Sequence, residues 1–351
     1  TAAGSEKHDK QPARFNYGSA TQGESLAQLL RQAEKGMHII GFASMQDLRG
    51  SETVGGQHEK NDNVFATEWD LLIIDEAHEG TQTELGQAVI EQLRHANTKV
   101  LQLSGTPFNL IDQYAEEEIF TWDYIMEQRA KMSWDEYHLG DPNPYAALPA
   151  MHIYTYDLGN LLADFVDEDK VFNFREFFRT DERGAFVHDD YVGDFLDLLC
   201  RNDEDSLYPY ANAEFRHIFR HTLWVLPGVK AAKALSQKLQ AHPIFGAFTV
   251  VNVAGEGDAD EESRDALEKV NKAIGKDPGA TQTITLSCGR LTTGVSIRAW
   301  TGVFMMSGAS STSAAGYMQT IFRVQTPFTY QGRMKENCYA FDFAPDRALR
   351  M

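Results

Sequence analysis

Cysteine is scarce. The three in the chain, Cys200, Cys288 and Cys338, lie far apart, which excludes a cysteine-based metal site and suits a reducing compartment; a cytoplasmic location is expected. Long hydrophobic runs are missing too. No apolar stretch reaches the ~18 residues of a membrane span, and Thr1 to Arg14 is polar, without the core of a signal peptide. Basic residues are in deficit, 32 Lys and Arg against 51 Asp and Glu, for a net charge of −19. That balance argues against a free-standing nucleic-acid binder, because phosphate contacts need a basic surface. It leaves open a protein that holds nucleic acid in a narrow cleft. Also absent is Gly-x-x-x-x-Gly-Lys-Ser/Thr, the loop that cradles phosphates. Gly275-Lys276-Asp277 lacks the upstream glycine and the hydroxyl, and Gly18-Ser19-Ala20 and Gly23-Glu24-Ser25 lack the lysine.

What is present is an ordinary globular composition, 42% hydrophobic and 24% charged, in 351 residues. That is long enough for two domains with sizeable cores. The stretch Leu71-Leu72-Ile73-Ile74-Asp75-Glu76-Ala77-His78 organises it. Four aliphatic residues in a row read as a parallel strand buried on both faces. Two carboxylates follow at its carboxyl end, where open α/β sheets bind ligands. Asp75 can hold Mg²⁺ through water, and Glu76 can orient or deprotonate a water attacking a γ-phosphate. A solvated acidic turn is the plainer alternative.

Asp75-Glu76-Ala77-His78 also resembles motif II, in its DEAH form, of superfamily 2 helicases and translocases. Further on, Leu101-Gln102-Leu103-Ser104-Gly105-Thr106-Pro107-Phe108 resembles their motif III. The order of the two, each closing a strand, carries the resemblance. It implies two RecA-like parallel-sheet α/β domains that use ATP and Mg²⁺, with Asp75 on the metal, Glu76 activating water, and His78, Ser104 and Thr106 coupling the cleft to motif VI. In that family the phosphate loop precedes motif II, so the chain is expected to begin inside a truncated first domain that lacks it.

Along the chain, Gly23 to Gly36 fits a helix and Met37 to Ser44 a strand. Ser44 and Gln46 resemble the motif Ib region, which contacts the nucleic-acid backbone, or they are helix caps. Residues 49–63 read as a mobile loop, Thr81 to Ala96 as a helix and Thr98 to Ser104 as a strand. Residues 1–110 are thus the rear of the first domain. Residues 111–214 are a connecting region with a mainly helical acidic insertion; 157–205 hold 15 Asp and Glu against 5 Lys and Arg. Its phenylalanines (172, 174, 177, 178, 186) are expected to form a packed core rather than a base-stacking platform.

Residues 215–351 make the second domain. Strands are expected at 222–227, 248–253, 283–287, 303–306 and 338–343, with helices between. Gly289-Arg290-Leu291-Thr292-Thr293-Gly294-Val295-Ser296 resembles motif V, which places Thr292, Thr293 and Gly294 against nucleic acid. Ser296 stands where the family often has an acid. Tyr317 to Pro327 resembles motif VI. Gln319 and Arg323 match it, while Phe322 replaces its glycine and Thr326 its second arginine, so Arg323 is left to meet the γ-phosphate. Residues 42–49 and 323–327 further resemble the motor subunits of bacterial restriction enzymes. The resemblance implies an ATP-dependent translocase on double-stranded DNA, working with modification or specificity subunits and with no membrane. Asp167-Glu168-Asp169-Lys170 is too isolated for a nuclease, which is expected outside this chain. A repair helicase, an RNA-dependent helicase and a non-catalytic scaffold stand as alternatives.

Overall fold

The computed structural model describes residues 38–77, 83–108, 110–156, 172–202, 208–255, 259–289, 291–292, 296–307 and 314–343. The predicted helix at 23–36 and the predicted site residues His78, Thr293 and Gly294 lie outside them. The chain divides into two compact units, Thr1–Glu116 and Glu117–Met351, and each is described by itself.

In the first unit, helices α1 (Met45–Arg49) and α2 (Asp62–Phe65) precede strand β1 (Leu71–Ile74), helix α3 (Glu84–Leu93) and strand β2 (Lys99–Gln102). β1 and β2 pair in parallel, Leu71 against Lys99 through Ile74 against Gln102. α3 starts on Thr83, whose side chain accepts from the Gly86 N–H, the usual cap for otherwise unpaired first-turn donors. Its Val89 and Leu93 are buried with Leu48, Val54 and Phe65.

Three expectations are corrected here. β1 is not buried on both faces: Leu71 and Ile73 are 50% and 54% exposed while Ile74 is buried, so the strand alternates sides as a half-covered sheet does. Residues 38–44 form no strand among the described residues. A strand needs a ladder partner, and Ile40 and Phe42 are instead exposed.

The stretch 49–63 is built rather than loose. The Asp47 carboxylate takes an ion pair from Lys60 at 2.6 Å and a hydrogen bond from Asn61 Nδ2 at 2.9 Å, and the same amide donates to Ser51 Oγ at 3.0 Å. The Lys60 and Asn61 hydrogen bonds hold the Asp47 carboxyl below its ordinary range. Gly56 closes the loop so tightly that a Cβ there would lie 2.3 Å from the Gly50 carbonyl carbon.

The second unit opens with α4 (Tyr124–Tyr137), β3 (Ala150–Thr155), α5 (Phe174–Phe177), α6 (Asp189–Leu199) and α7 (Ala213–Ile218). Next come β4 (His221–Val225), α8 (Val229–Ala241), β5 (Thr249–Asn252), α9 (Ala259–Ile274), β6 (Thr283–Ser287) and β7 (Gly302–Met305). α10 (Ala314–Ile321), the hairpin β8 (Thr329–Tyr330) and β9 (Arg333–Met334), and β10 (Asn337–Asp342) complete it. Six strands form one sheet in the order β3-β10-β7-β4-β6-β5, every pairing parallel. The expected parallel α/β architecture is observed. β3, from the region read as an insertion, is hydrogen-bonded along β10 from Ala150–Asn337 to Thr155–Asp342.

The central strands are buried on both faces, as parallel strands under helices must be. Trp224, Leu226, Phe304 and Met306 face one core; Leu223, Val225, Val303 and Met305 face the other. The first core is where the aromatics of the acidic region go. Phe174, Phe177 and Phe178 are almost fully buried, and Phe195 meets Phe343 edge to face at 5.2 Å. Each buried phenylalanine contributes about 1.5–3 kcal/mol, which fits the packed-core expectation. α6 buries Val192, Phe195, Leu196 and Leu199 and turns acids outward, with Asp189 pairing Lys238 at 2.7 Å.

His221 begins β4 and is 2% exposed. Its Nε2 lies 2.8 Å from the Pro278 carbonyl and its Nδ1 2.9 Å from Thr283 Oγ1. The neutral ring with its proton on Nε2 serves both, donating to the carbonyl and accepting from the hydroxyl. Burial pulls its pKa down to about 4. With the folded value below the ordinary 6.5, the unfolded chain binds the extra proton between those limits. Stability from this group is therefore complete above about pH 6.5 and is lost as pH falls toward 4, on the order of 3 kcal/mol in all. Urea unfolding of wild type and His221→Gln at several pH values checks it: the variant should lose this part of the pH dependence, and parallel curves would remove His221 from the account.

Candidate functional site

The first unit brings motifs II and III together through backbone. At the carboxyl end of β1, the Leu103 N–H donates to the Ile74 carbonyl at 2.8 Å, and the Ala77 N–H donates back to the Leu103 carbonyl at 2.9 Å. Ala77 is fully buried, so the turn is pinned at its far side while Asp75 and Glu76 stay exposed. Glu76 sits in the left-handed region at φ 47°. A non-glycine residue there costs of order 1–3 kcal/mol, and such strain gathers at functional sites. Its N–H donates to Asp75 Oδ1 at 3.0 Å, fixing that carboxylate beside the turn.

Across from it, the Thr106 N–H donates to Ser104 Oγ at 3.1 Å and Thr106 is buried. Two carboxylates and a hydroxyl-bearing turn thus close neighbouring parallel strands. Ser44 does what a cap does: its side chain accepts from the Asp47 N–H at the start of α1, and Gln46 is exposed in the first turn.

In the second unit the motif V segment follows β6 at the carboxyl edge of the six-stranded sheet, whereas the motif VI turn at 322–325 lies at the amino edge, where Lys335 ties Val324 to Arg298 and Trp300 just ahead of β7. The strand order reverses at β4, since β5 and β6 lie to one side of β4 and β7 and β10 to the other. Such a switch point is where open α/β sheets leave a crevice. After β6, Gly289 has φ 107° and Leu291 φ 60°, and Thr292 Oγ1 closes the turn on the Gly289 carbonyl at 2.6 Å. Gly289 is required by conformation and not by space, since a Cβ there would meet nothing within 4 Å.

Gln319 lies on α10 and Arg323 in the 3-10 turn that continues it, both half-buried. Arg323 Nε donates to the Gln319 carbonyl at 2.9 Å, which aims the guanidinium back along the helix. Three side chains that sequence reading missed hold this turn. Lys335 Nζ donates to the Arg298, Trp300 and Val324 carbonyls at 2.9–3.0 Å, and burial pulls its pKa down to about 8. Glu127 of α4 accepts from Gln325 Nε2 at 2.8 Å, and Tyr124 packs on Phe322 at 5.8 Å. Their only sequence signal was a charge or aromatic with no motif around it.

Residues 5–109 match the family model described as "Type III restriction enzyme, res subunit". A Mycoplasma pneumoniae protein described as a type II restriction enzyme and methyltransferase, C-terminus, is 25% identical over 88% of this chain and 51% of its own length. The chain thus spans about half the length of that curated relative. Among solved structures, a fragment of an HsdR subunit of a type I restriction enzyme from Vibrio vulnificus is 15% identical, at a TM-score of 0.41, over 80% of this chain and 44% of that one. Dbp5 of S. cerevisiae, bound to RNA and ADP BeF3, is 14% identical, at 0.33, over 78% and 53%. At such scores the two structures carry no weight; the family match, the relative and the motifs do. The chain resembles a superfamily 2 motor. Within that class it resembles the motor subunits of restriction enzymes.

Proposed function

We propose that this chain supplies the ATP-dependent translocating motor of a restriction-modification enzyme acting on double-stranded DNA. The observation that carries it is the pinned turn of Asp75 and Glu76 against Ser104 and Thr106, at the carboxyl ends of adjacent parallel strands. The restriction-enzyme matches over the same residues support the class.

The residues fit one part of the nucleotide's needs. Asp75 is an exposed oxygen donor with one oxygen held by the Glu76 N–H. A Mg²⁺ that keeps several waters and takes its other ligands from phosphates needs no more from protein than one or two carboxylates. ATP with Mg²⁺ would supply the reactive γ-phosphoryl group. Glu76 would orient the attacking water and accept its proton, Ser104 and Thr106 would transmit the state of that turn, and Gln319 and Arg323 would supply polar and positive groups for charge on the phosphate. Ser44, Gln46 and Thr292, with Thr293 and Gly294 from the same motif, are the residues proposed for the nucleic-acid path, and His78 joins Ser104 and Thr106 in coupling the cleft to motif VI. The phosphate-cradling loop is not among these 351 residues, so this polypeptide alone is expected to turn ATP over poorly.

Specificity or modification subunits and a nuclease are the partners proposed. A cytoplasmic location accords with this role; among the described residues no helix is long and apolar enough to cross a membrane. ATP turnover of the intact enzyme in the presence of duplex DNA or RNA of equal length tests the reading. Duplex DNA should stimulate, and stimulation by RNA alone would assign the motor to an RNA-dependent helicase.

A further inference from the structure

α4 and the loop behind it form a cleft that the motor reading leaves unused. It is an open cleft of about 200 Å³ lined by Trp122, Trp134, Tyr137, His138 and Tyr145 together with Ala130 and Ser133. Trp122 stacks on Tyr145 at 5.5 Å. Trp134 stacks on His138 at 3.8 Å and meets Tyr145 edge-on at 5.8 Å. The loop is fastened to the helix: Trp134 Nε1 donates to the Asp141 carbonyl at 3.2 Å, Asn143 Nδ2 to the Lys131 carbonyl at 2.9 Å, and Lys131 Nζ to the Leu148 carbonyl at 2.5 Å. The cleft is therefore preformed. Yet Trp122 is 48% and Tyr137 77% exposed, and an aromatic patch left open to water on a fastened frame marks a contact surface.

Charge says what the surface meets. Residues 117–141 carry seven acids (Glu117, Glu118, Asp123, Glu127, Asp135, Glu136 and Asp141) against Arg129 and Lys131; Asp123 caps α4 and Glu127 takes Gln325, while the Lys131 ammonium is turned to a backbone carbonyl. A nucleic-acid strand would bring its phosphates against these carboxylates, which disfavours base stacking here. A planar cation gains from both features: the ring faces attract it and the acid excess of the surrounding segment favours positive charge. We propose that this cleft docks an arginine side chain from a basic segment of a partner protein, the guanidinium lying on the Trp122 and Tyr137 rings.

The test is binding alone, so it stands or falls separately from the motor function. The whole 351-residue chain is titrated with acetyl-Gly-Arg-Gly-amide, with its citrulline counterpart, and with a twelve-nucleotide oligothymidine, read by tryptophan fluorescence and calorimetry. The arginine peptide should bind saturably and weaken with added salt. The uncharged citrulline peptide and the variant Trp122→Ala should each cost roughly tenfold in affinity. Tyr137→Ala serves as the second variant, because its exposure lets it change without disturbing the fold; a similar weakening supports the proposal even if Trp122→Ala misfolds. Equal binding of the citrulline peptide, unchanged affinity in Tyr137→Ala, or no binding of the arginine peptide overturns it. Oligothymidine binding that is lost in Trp122→Ala, with no binding of the arginine peptide, overturns it in favour of base stacking.

Discussion

Glu76→Gln should leave nucleotide binding by the intact enzyme nearly unchanged and lower turnover by roughly 10²–10⁴, the usual worth of a positioned general base. The two side chains have nearly the same shape, so the turn loses nothing that the backbone does not already secure. Ala77 remains bonded to Leu103 and Leu103 to Ile74, and the left-handed backbone at position 76 is no worse for Gln than for Glu. Only the capacity to take a proton goes. Folding stability should therefore stay within about 0.5 kcal/mol. A variant with normal turnover would make Glu76 a surface acid and Asp75-Glu76 the solvated turn that the sequence also allowed.

Arg323→Ala should cost more in rate than in binding. Thr326 stands where a second motif VI arginine is expected, and its hydroxyl donates to the Arg323 carbonyl at 3.0 Å instead of offering charge. On the proposed reading Arg323 is the cation for charge developing on the γ-phosphate, a role that can be worth roughly 10³–10⁵ in rate. The turn that presents it is held by Lys335, Glu127 and Tyr124, so removing the guanidinium should leave that turn in place. An arginine that merely covers a helix would change stability by about 0.5 kcal/mol and the rate not at all. Turnover and DNA affinity are to be measured on one preparation. Collapse of affinity with normal turnover at saturating DNA would move Arg323 to the DNA path.

The second unit was the more legible. Thr283 to Ser287 is a strand as expected, and the strands beginning at His221, Thr249, Gly302 and Asn337 fall within a residue or two of expectation, because buried parallel strands announce themselves as continuous apolar runs. What periodicity cannot carry is partnership. β3 lies in the region read as connecting, and its ladder partner is β10, far along the chain.

The same limit explains the errors in the first unit. Four aliphatic residues in a row imply two covered faces, and β1 has one. Glycine, asparagine and charge between 49 and 63 imply looseness, and there Asp47 gathers Lys60 and Asn61 into a fastened loop. At the candidate site, motif spacing named Asp75, Glu76, Ser104 and Thr106. The left-handed Glu76 and the backbone bonds that pin it lay beyond any spacing rule, as did the clamp from Lys335.

The most direct measurement is ATP turnover by the 351-residue chain and by the proposed intact enzyme, each with and without duplex DNA. The account predicts negligible turnover by the chain alone, which carries no phosphate-cradling loop. It predicts turnover in the intact enzyme that rises when duplex DNA is added and disappears with Glu76→Gln. An intact enzyme that binds duplex DNA and consumes no ATP would contradict it and leave this chain a scaffold. Turnover by the isolated chain at an ordinary enzyme rate, about 1–10³ per second, would show that the phosphates are held by residues other than those proposed.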